Sequence, residues 1–170
     1  MSALAAFTLA FCRWCNASLF GRGIRESAWL FPVIEVFHLL ALALLGGILI
    51  LVNLSLAGRR FGNTSTPELA RDLRPWMFGS ILVMLVSGFL LFSTEAVKMY
   101  GNWAFQLKMT LLLLALVFTL TVHHRVIMSQ RAPLALRRLA AGVSLLLWLG
   151  VGLGGRALGY VTTAASAVNG

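Results

Sequence analysis

Apolar residues gather in four long runs, each broken by very few polar positions. They extend over about residues 28–56, 76–94, 104–122 and 139–161. At ~1.5 Å of rise per residue, each is long enough as a helix to cross ~30 Å of hydrocarbon. Runs of this length are not barrel strands, and in lipid a helix satisfies its own backbone polar groups. The pattern predicts an all-α, polytopic membrane protein built as a four-transmembrane-helix bundle. The interruptions are Glu35, His38 and Asn53 in the first run, Lys108 near the start of the third and Arg156 near the end of the fourth.

Residues 1–26 follow another rule. Leu4, Phe7, Phe11 and Trp14 recur at helical spacing, while Arg13 and Asn16 fall elsewhere on the wheel. This predicts an N-terminal interfacial amphipathic helix, followed by "GRGIRES" as a turn into the first span. No cationic segment precedes the apolar stretch, as a cleaved signal would require. The transmembrane domain is then 27–163 and the tail 164–170. Between the first two spans, Thr66 can cap a short helix with Pro67 first and Glu68 in its first turn, carrying Arg71 and Arg74 at the surface.

Composition agrees with the pattern. Of 170 residues, 59% are hydrophobic and 11% charged, and mean hydropathy is +0.89. A soluble domain of this size could not hide so much apolar surface. The net charge of +9 comes mostly from residues outside the runs, which suits a lipid bilayer with anionic headgroups better than nucleic acid as the expected partner. There is no Walker loop, dinucleotide-binding glycine fingerprint or zinc-type cluster. Arg59, Arg60, Arg71, Arg74, Arg125, Arg131, Arg137 and Arg138 flank one side of the spans, and Arg13, Arg22, Arg25 and Lys98 the other. The richer side is predicted cytoplasmic, so both termini are predicted to face outward. Trp29, Trp76 and Trp103 stand at span ends, where an aromatic belt would lie.

Cys12 and Cys15 in "FCRWC" have Asn16 where a c-type haem site needs histidine. Three readings stay open: small residues on one helical face, a redox pair, or a metal contact.

Depth shows which ionisable residues can meet. Glu35 lies about 9 Å and His38 about 13 Å along the helix from Trp29, Lys108 about 7 Å from Trp103, and Arg156 about 6 Å from Tyr160. All four, with Glu95 at the rim, are predicted in the outer half of the bundle. Intramembrane ionisable groups usually face the interior and pair. Glu35 and His38 share a face that continues through Leu42, Gly46, Leu49 and Asn53. His123 and His124 lie about 30 Å from Trp103, at the opposite end. They read as interfacial residues near a helix C-terminus, where cations are favoured. The glycines of "GVGLGGRALG" allow close helix approach or leave room for a flat ligand. The outer cluster can be an ion-pair network pairing Glu35 with Lys108 or His38, and Glu95 with Arg156. It can be a haem site with His38 as axial ligand, Lys108 or Met109 opposite, and Arg156 at the propionates. Or it can be a proton or copper path with thioether help from Met84, Met99 and Met109.

"WLFPVIEVFHLLALALLGG", "GSILVMLVSGFLLF", "FQLKMTLLLLAL" and "LWLGVGLGGRALGYV" together resemble a family of uncharacterised four-span bacterial inner-membrane proteins, over about residues 26–160. The resemblance implies the fold and a multi-pass place in the inner membrane. More distantly, the plan is similar to the CopD copper-resistance and HemJ protoporphyrinogen-oxidase types. These share an early-span His before a Gly-containing stretch, and a Lys opening a later span. In the HemJ type this pair is associated with haem b, which implies His38 and Lys108 here. Glu35 and the N-terminal surface helix depart from that type. The leading expectation is a haem-b-binding redox protein or redox subunit that passes electrons between quinone and a periplasmic partner. In it His38 is ligand to the haem iron, Lys108 the second ligand or a hydrogen-bonding group, Arg156 the propionate partner, and Glu35 orients the imidazole or carries protons. The alternatives are an accessory or scaffold subunit, and copper or proton transport.

Overall fold

A computed structural model describes residues 3–59, 61, 63–129 and 132–168. The elements are α1 (Ala3–Ala17), α2 (Leu19–Glu26), α3 (Leu30–Leu56), α4 (Thr66–Thr94), α5 (Ala96–Tyr100), α6 (Trp103–Phe118), a π-helical turn (Thr119–His123), α7 (His124–Met128) and α8 (Leu134–Val168). Among the described residues there is no strand, only an isolated bridge between Phe61 and Thr64. Four stretches are long and apolar enough to cross a membrane: Leu30–Leu56, Thr66–Thr94, Trp103–Met128 and Leu134–Arg156. Their outward side chains are large and apolar; Leu82 and Leu113 are each 63% exposed and Leu146 71%. Water does not tolerate so many leucines in contiguous bands, and a bilayer does. The protein is an all-α, multi-pass membrane protein with four spans.

Several boundaries differ from the sequence reading. "GRGIRES" is mostly helix, because the Ser18 hydroxyl accepts the Gly21 N–H at 3.1 Å and caps α2. The short helix expected after Thr66 is continuous with the second span, with Pro75 inside it. Its cap is Ser65, one residue earlier. Glu68 Oε2 accepts from the Ser65 N–H at 2.9 Å and the Glu68 N–H donates to the Ser65 hydroxyl at 3.4 Å, the reciprocal arrangement of a capping box. Thr66 is committed elsewhere, 2.9 Å from the buried Ser55 hydroxyl. The third span runs on through the π-helical turn to Met128, the fourth starts at Leu134, and helix continues through 164–168, where a tail was expected. The Leu4 and Tyr160 side chains, and Arg60 and Arg131, lie outside the described residues.

The chain forms two compact units. One takes the chain up to Leu45 together with Phe78–Asn102; the other takes Gly46–Met77 and the chain from Trp103 onward. In the first, α1 packs on α5. Cys12 and Cys15, three apart and therefore on one face, are buried against Ala96, with Phe92 and Tyr100 around them. Phe7 and Trp14 remain exposed on another face, 71% and 66%. The amphipathic helix thus turns its cysteines to the protein and its aromatics outward.

Burial pushes both thiols up from their usual range, and Cys12 beside it raises Cys15 further. Only the thiolate reacts with maleimides, so a raised pKa and a closed face both slow labelling. In folded protein at pH 7, Cys12 and Cys15 should label at least about tenfold more slowly than after denaturation, as read by intact mass. Equal rates would show that α1 is not docked on α5.

In the second unit, Ile48, Val52 and Leu56 of α3 form a helical stripe packed with Val126, Ile127, Ala140 and Ala141, and with Leu73 and Met77 of α4 at the edge. The α3 helix ends where Gly58 takes φ +103°, a left-handed position that suits glycine, and the Arg59 N–H donates to the Leu54 carbonyl at 3.0 Å. The α6 helix lies along α8. Gly150 and Gly154, four apart, receive Leu111 and Lys108 of α6; added Cβ atoms would meet these side chains at 3.2 and 3.4 Å. This is a small-xxx-small contact, in which Gly154 and Gly155 accommodate the Lys108 side chain.

Candidate functional site

His38 sits on α3 in the first unit, half-buried, and its Nδ1 lies 2.8 Å from the Ser87 hydroxyl of α4. That hydroxyl has a single proton, and it donates it to the Val83 carbonyl at 2.5 Å. Ser87 can therefore only accept from the imidazole. His38 is held as the Nδ1–H tautomer, with its lone pair on Nε2. This is the arrangement in which histidines bind metals: one ring N–H anchored by the protein and the other nitrogen a ligand. Gly88 makes room for the ring, since a Cβ there would stand 3.3 Å from His38 Cε1. Beside Ser87, Ile34, Phe37, Leu82, Val86 and Leu90 line an apolar groove of about 380 Å³.

Glu35 does not share this setting. It is exposed, as are Val33, Val36 and Phe37 around it. One turn of separation puts it on the same side of α3 as His38, but the early turns of this helix are largely uncovered. Glu35 was expected in the interior beside the imidazole; it lies instead on the exposed part of α3. Glu95, expected opposite Arg156, makes its ion pair with Lys98 at 3.4 Å, on exposed residues where such a pair contributes little.

Lys108 and Arg156 belong to the second unit. The Lys108 ammonium ends 3.4 Å from where a Gly155 Cβ would be, and the side chain is half-buried. Arg156, the next residue of α8, is exposed. The predicted site residues thus fall into two pairs, His38 with Glu35 and Lys108 with Arg156. Within its own unit, His38 is engaged by a side-chain partner, Ser87.

The second unit holds a buried polar network that the sequence did not suggest. The Asn53 amide nitrogen donates to the Leu49 carbonyl at 2.7 Å and to the Ser144 hydroxyl at 3.3 Å. A carbonyl only accepts, so the amide cannot be turned over. Asn53 Oδ1 therefore faces His123 Nε2, 2.8 Å away, and accepts its N–H. His123 is only 2% exposed. It was expected as an interfacial cation, and it is instead a buried donor; His124 beside it is exposed. The π-helical turn makes the difference. It inserts one extra residue per turn, so His123 is turned inward where an α-helical continuation would place it elsewhere. Thr119, at the start of that turn, accepts the indole N–H of Trp148 at 3.1 Å. No periodicity in the sequence marks such a turn.

Among the described residues no three His, Cys, Asp or Glu side chains gather as a metal-holding group. What fold and site define is a four-span, all-helical membrane protein with two histidines, His38 and His123, each held in a span by a side-chain partner. The chain belongs to the family of unknown function DUF6644, whose model matches residues 11–161. No curated protein and no solved structure matches it.

Proposed function

We propose that this chain is a haem-b-binding redox protein, or the redox subunit of a larger complex, in the bacterial inner membrane, with His38 as ligand to the iron. The observation that carries the reading is the tautomer: Ser87 donates to Val83 and so takes the Nδ1–H of His38, which places the ring's lone pair on Nε2. The residues fit a haem better than a metal held by protein alone. A macrocycle supplies four ligands and asks the protein for one or two, whereas a bare ion needs a gathered set. When bound, haem supplies one-electron transfer. Ser87 orients the imidazole and raises its basicity, Gly88 keeps the ring's edge clear, and the neighbouring apolar side chains keep water away. In this reading Lys108 as second ligand and Arg156 as propionate partner rest on the sequence alone, as do quinone and a periplasmic partner. The basic flanks support termini on the periplasmic side.

The test is spectroscopic. The protein, expressed with ample haem supply and purified in mild detergent, should show a Soret band that shifts on reduction. His38→Ala should remove or shift the band, and His123→Ala should leave it. Ser87→Ala should weaken haem retention by about 10–100-fold, the usual effect of removing a partner of a ligating histidine. No Soret band in the unaltered protein would overturn the proposal and favour the accessory-subunit reading. A band indifferent to His38→Ala would reassign the ligand.

A further inference from the structure

The second unit has a basic cavity with no part in this reading. The ends of α3 and α7 and the starts of α4 and α8 meet around a space of about 880 Å³, lined among others by Ser55, Arg59, Asn63, Thr66, Ser129 and Arg137. Two of these are arginines, and among the described residues no carboxylate lines it. Glu68, the nearby acid in sequence, is turned back onto Ser65 as a helix cap.

Arg137 is set up from behind. One of its terminal NH₂ groups donates to the Thr66 hydroxyl at 3.2 Å. Thr66 is itself buried and fixed by Ser55, through the hydroxyl at 2.9 Å and the carbonyl at 3.3 Å. A guanidinium has five N–H donors in a rigid fork. The rest of Arg137's donors have no acceptor among the described residues. Arg59 stands exposed at the same cavity, and its side chain likewise has no partner among the described residues. Arg138 adds a third cation close by, donating to the Ala57 carbonyl at 3.3 Å. The two positive groups at this concavity, with Arg138 near them, repel one another until an anion joins them.

The anion's class follows from the donors and the place. The fork of an arginine matches the oxygens of a phosphate in pairs, and hydroxyl and amide groups complete such a shell. The cavity is far larger than a carboxylate needs. It lies where spans end, the level of lipid headgroups, and Ile127 and Leu134 give it an apolar edge. Basic pockets between span ends are where anionic lipid headgroups are held. We propose that this cavity binds a phosphate group, presented by an anionic phospholipid or by a soluble phosphate, with Arg137 as the fork and Arg59 as the second cation.

The full chain in neutral detergent is titrated with phosphatidylglycerol, phosphatidylcholine, glycerol 3-phosphate and inorganic phosphate, reading adducts by native mass spectrometry and melting by thermal shift. Saturable binding of phosphatidylglycerol over phosphatidylcholine identifies a lipid headgroup; saturable binding of glycerol 3-phosphate or inorganic phosphate identifies a soluble ligand. In either case Arg137→Gln and Arg59→Gln should each weaken binding by about tenfold, the effect of one lost charge-assisted contact. Arg137→Lys, which keeps charge and loses the fork, should fall between. Arg13→Gln, the same charge change on the other unit, should have no effect. Arg59 is exposed, so its variant keeps the test intact if Arg137→Gln does not fold. Failure of every probe to bind saturably, or equal binding by Arg59→Gln and the unaltered chain, would overturn the proposal.

Discussion

Asn53→Leu is expected to lower the stability of the folded protein in detergent by about 3 kcal/mol. The estimate sums two interhelical hydrogen bonds at about 1 kcal/mol each in a membrane setting and a further cost of about 1 kcal/mol for a buried His123 donor left without an acceptor. The size matches the side chain, so no cavity confuses the result. Asn53 joins three elements: α3 through Leu49, α8 through Ser144, and the π-helical turn through His123. Removing His123 as well should recover part of the loss, because replacing both partners by apolar groups leaves nothing unsatisfied. Unfolding of Asn53→Leu, His123→Leu and the double variant in a thermal or SDS titration gives the coupling. A double variant destabilised by the full sum of the singles would show that the two residues do not depend on each other.

Gly21→Ala should release α1 and α2 from their unit. A Cβ at Gly21 would stand 2.6 Å from the Ser93 carbonyl oxygen and 2.7 Å from that of Cys15. Both are backbone atoms and neither can swing aside, so a helix has to move. Overpacking of this kind costs about 1–3 kcal/mol. The local docking of α1 on α5 rests on a small face of Cys12, Cys15 and Ala96, and a cost of that size is enough to open it. Cys12 and Cys15 should then label at nearly the rate of the denatured chain, and the first twenty-odd residues should become sensitive to protease. Gly23→Ala, two residues on in the same helix, meets nothing within 4 Å. It should leave labelling slow and favour the helix, since alanine is the better helix former by about 1 kcal/mol. Equal behaviour of the two variants would show that α2 does not cross Ser93 as described.

The spans were legible in the sequence because hydrocarbon imposes a simple demand. About twenty apolar residues in a row, with backbone groups paired internally, have one regular solution, and each run predicted one of the spans that form. The ends were less legible. Ser65, not Thr66, caps α4, because Thr66's hydroxyl is drawn to Ser55, a partner eleven residues away that only folding brings near. Cys12 and Cys15 were rightly placed on one face by their spacing, but the spacing could not say that this face meets Ala96.

The candidate site divides in the same way. His38 stood out because an imidazole in an apolar run is costly. Its tautomer depends on Ser87, which is forty-nine residues away and donates to its own helix. Glu35 stood out for the same reason, yet it is exposed, since one turn along a helix is enough to leave the covered stretch. On a regular helix the depth of His123 predicts an interfacial residue; the π-helical turn changes its direction and gives it Asn53. The sequence by itself determined the solvent, the number of spans and the helices that fill them, because those follow from composition and period along one dimension. Which polar groups meet, which nitrogen of His38 and of His123 carries the proton and where an arginine fork is left open were decided only by the tertiary structure. A hydrogen bond is short and directional, and its partners lie far apart along the chain.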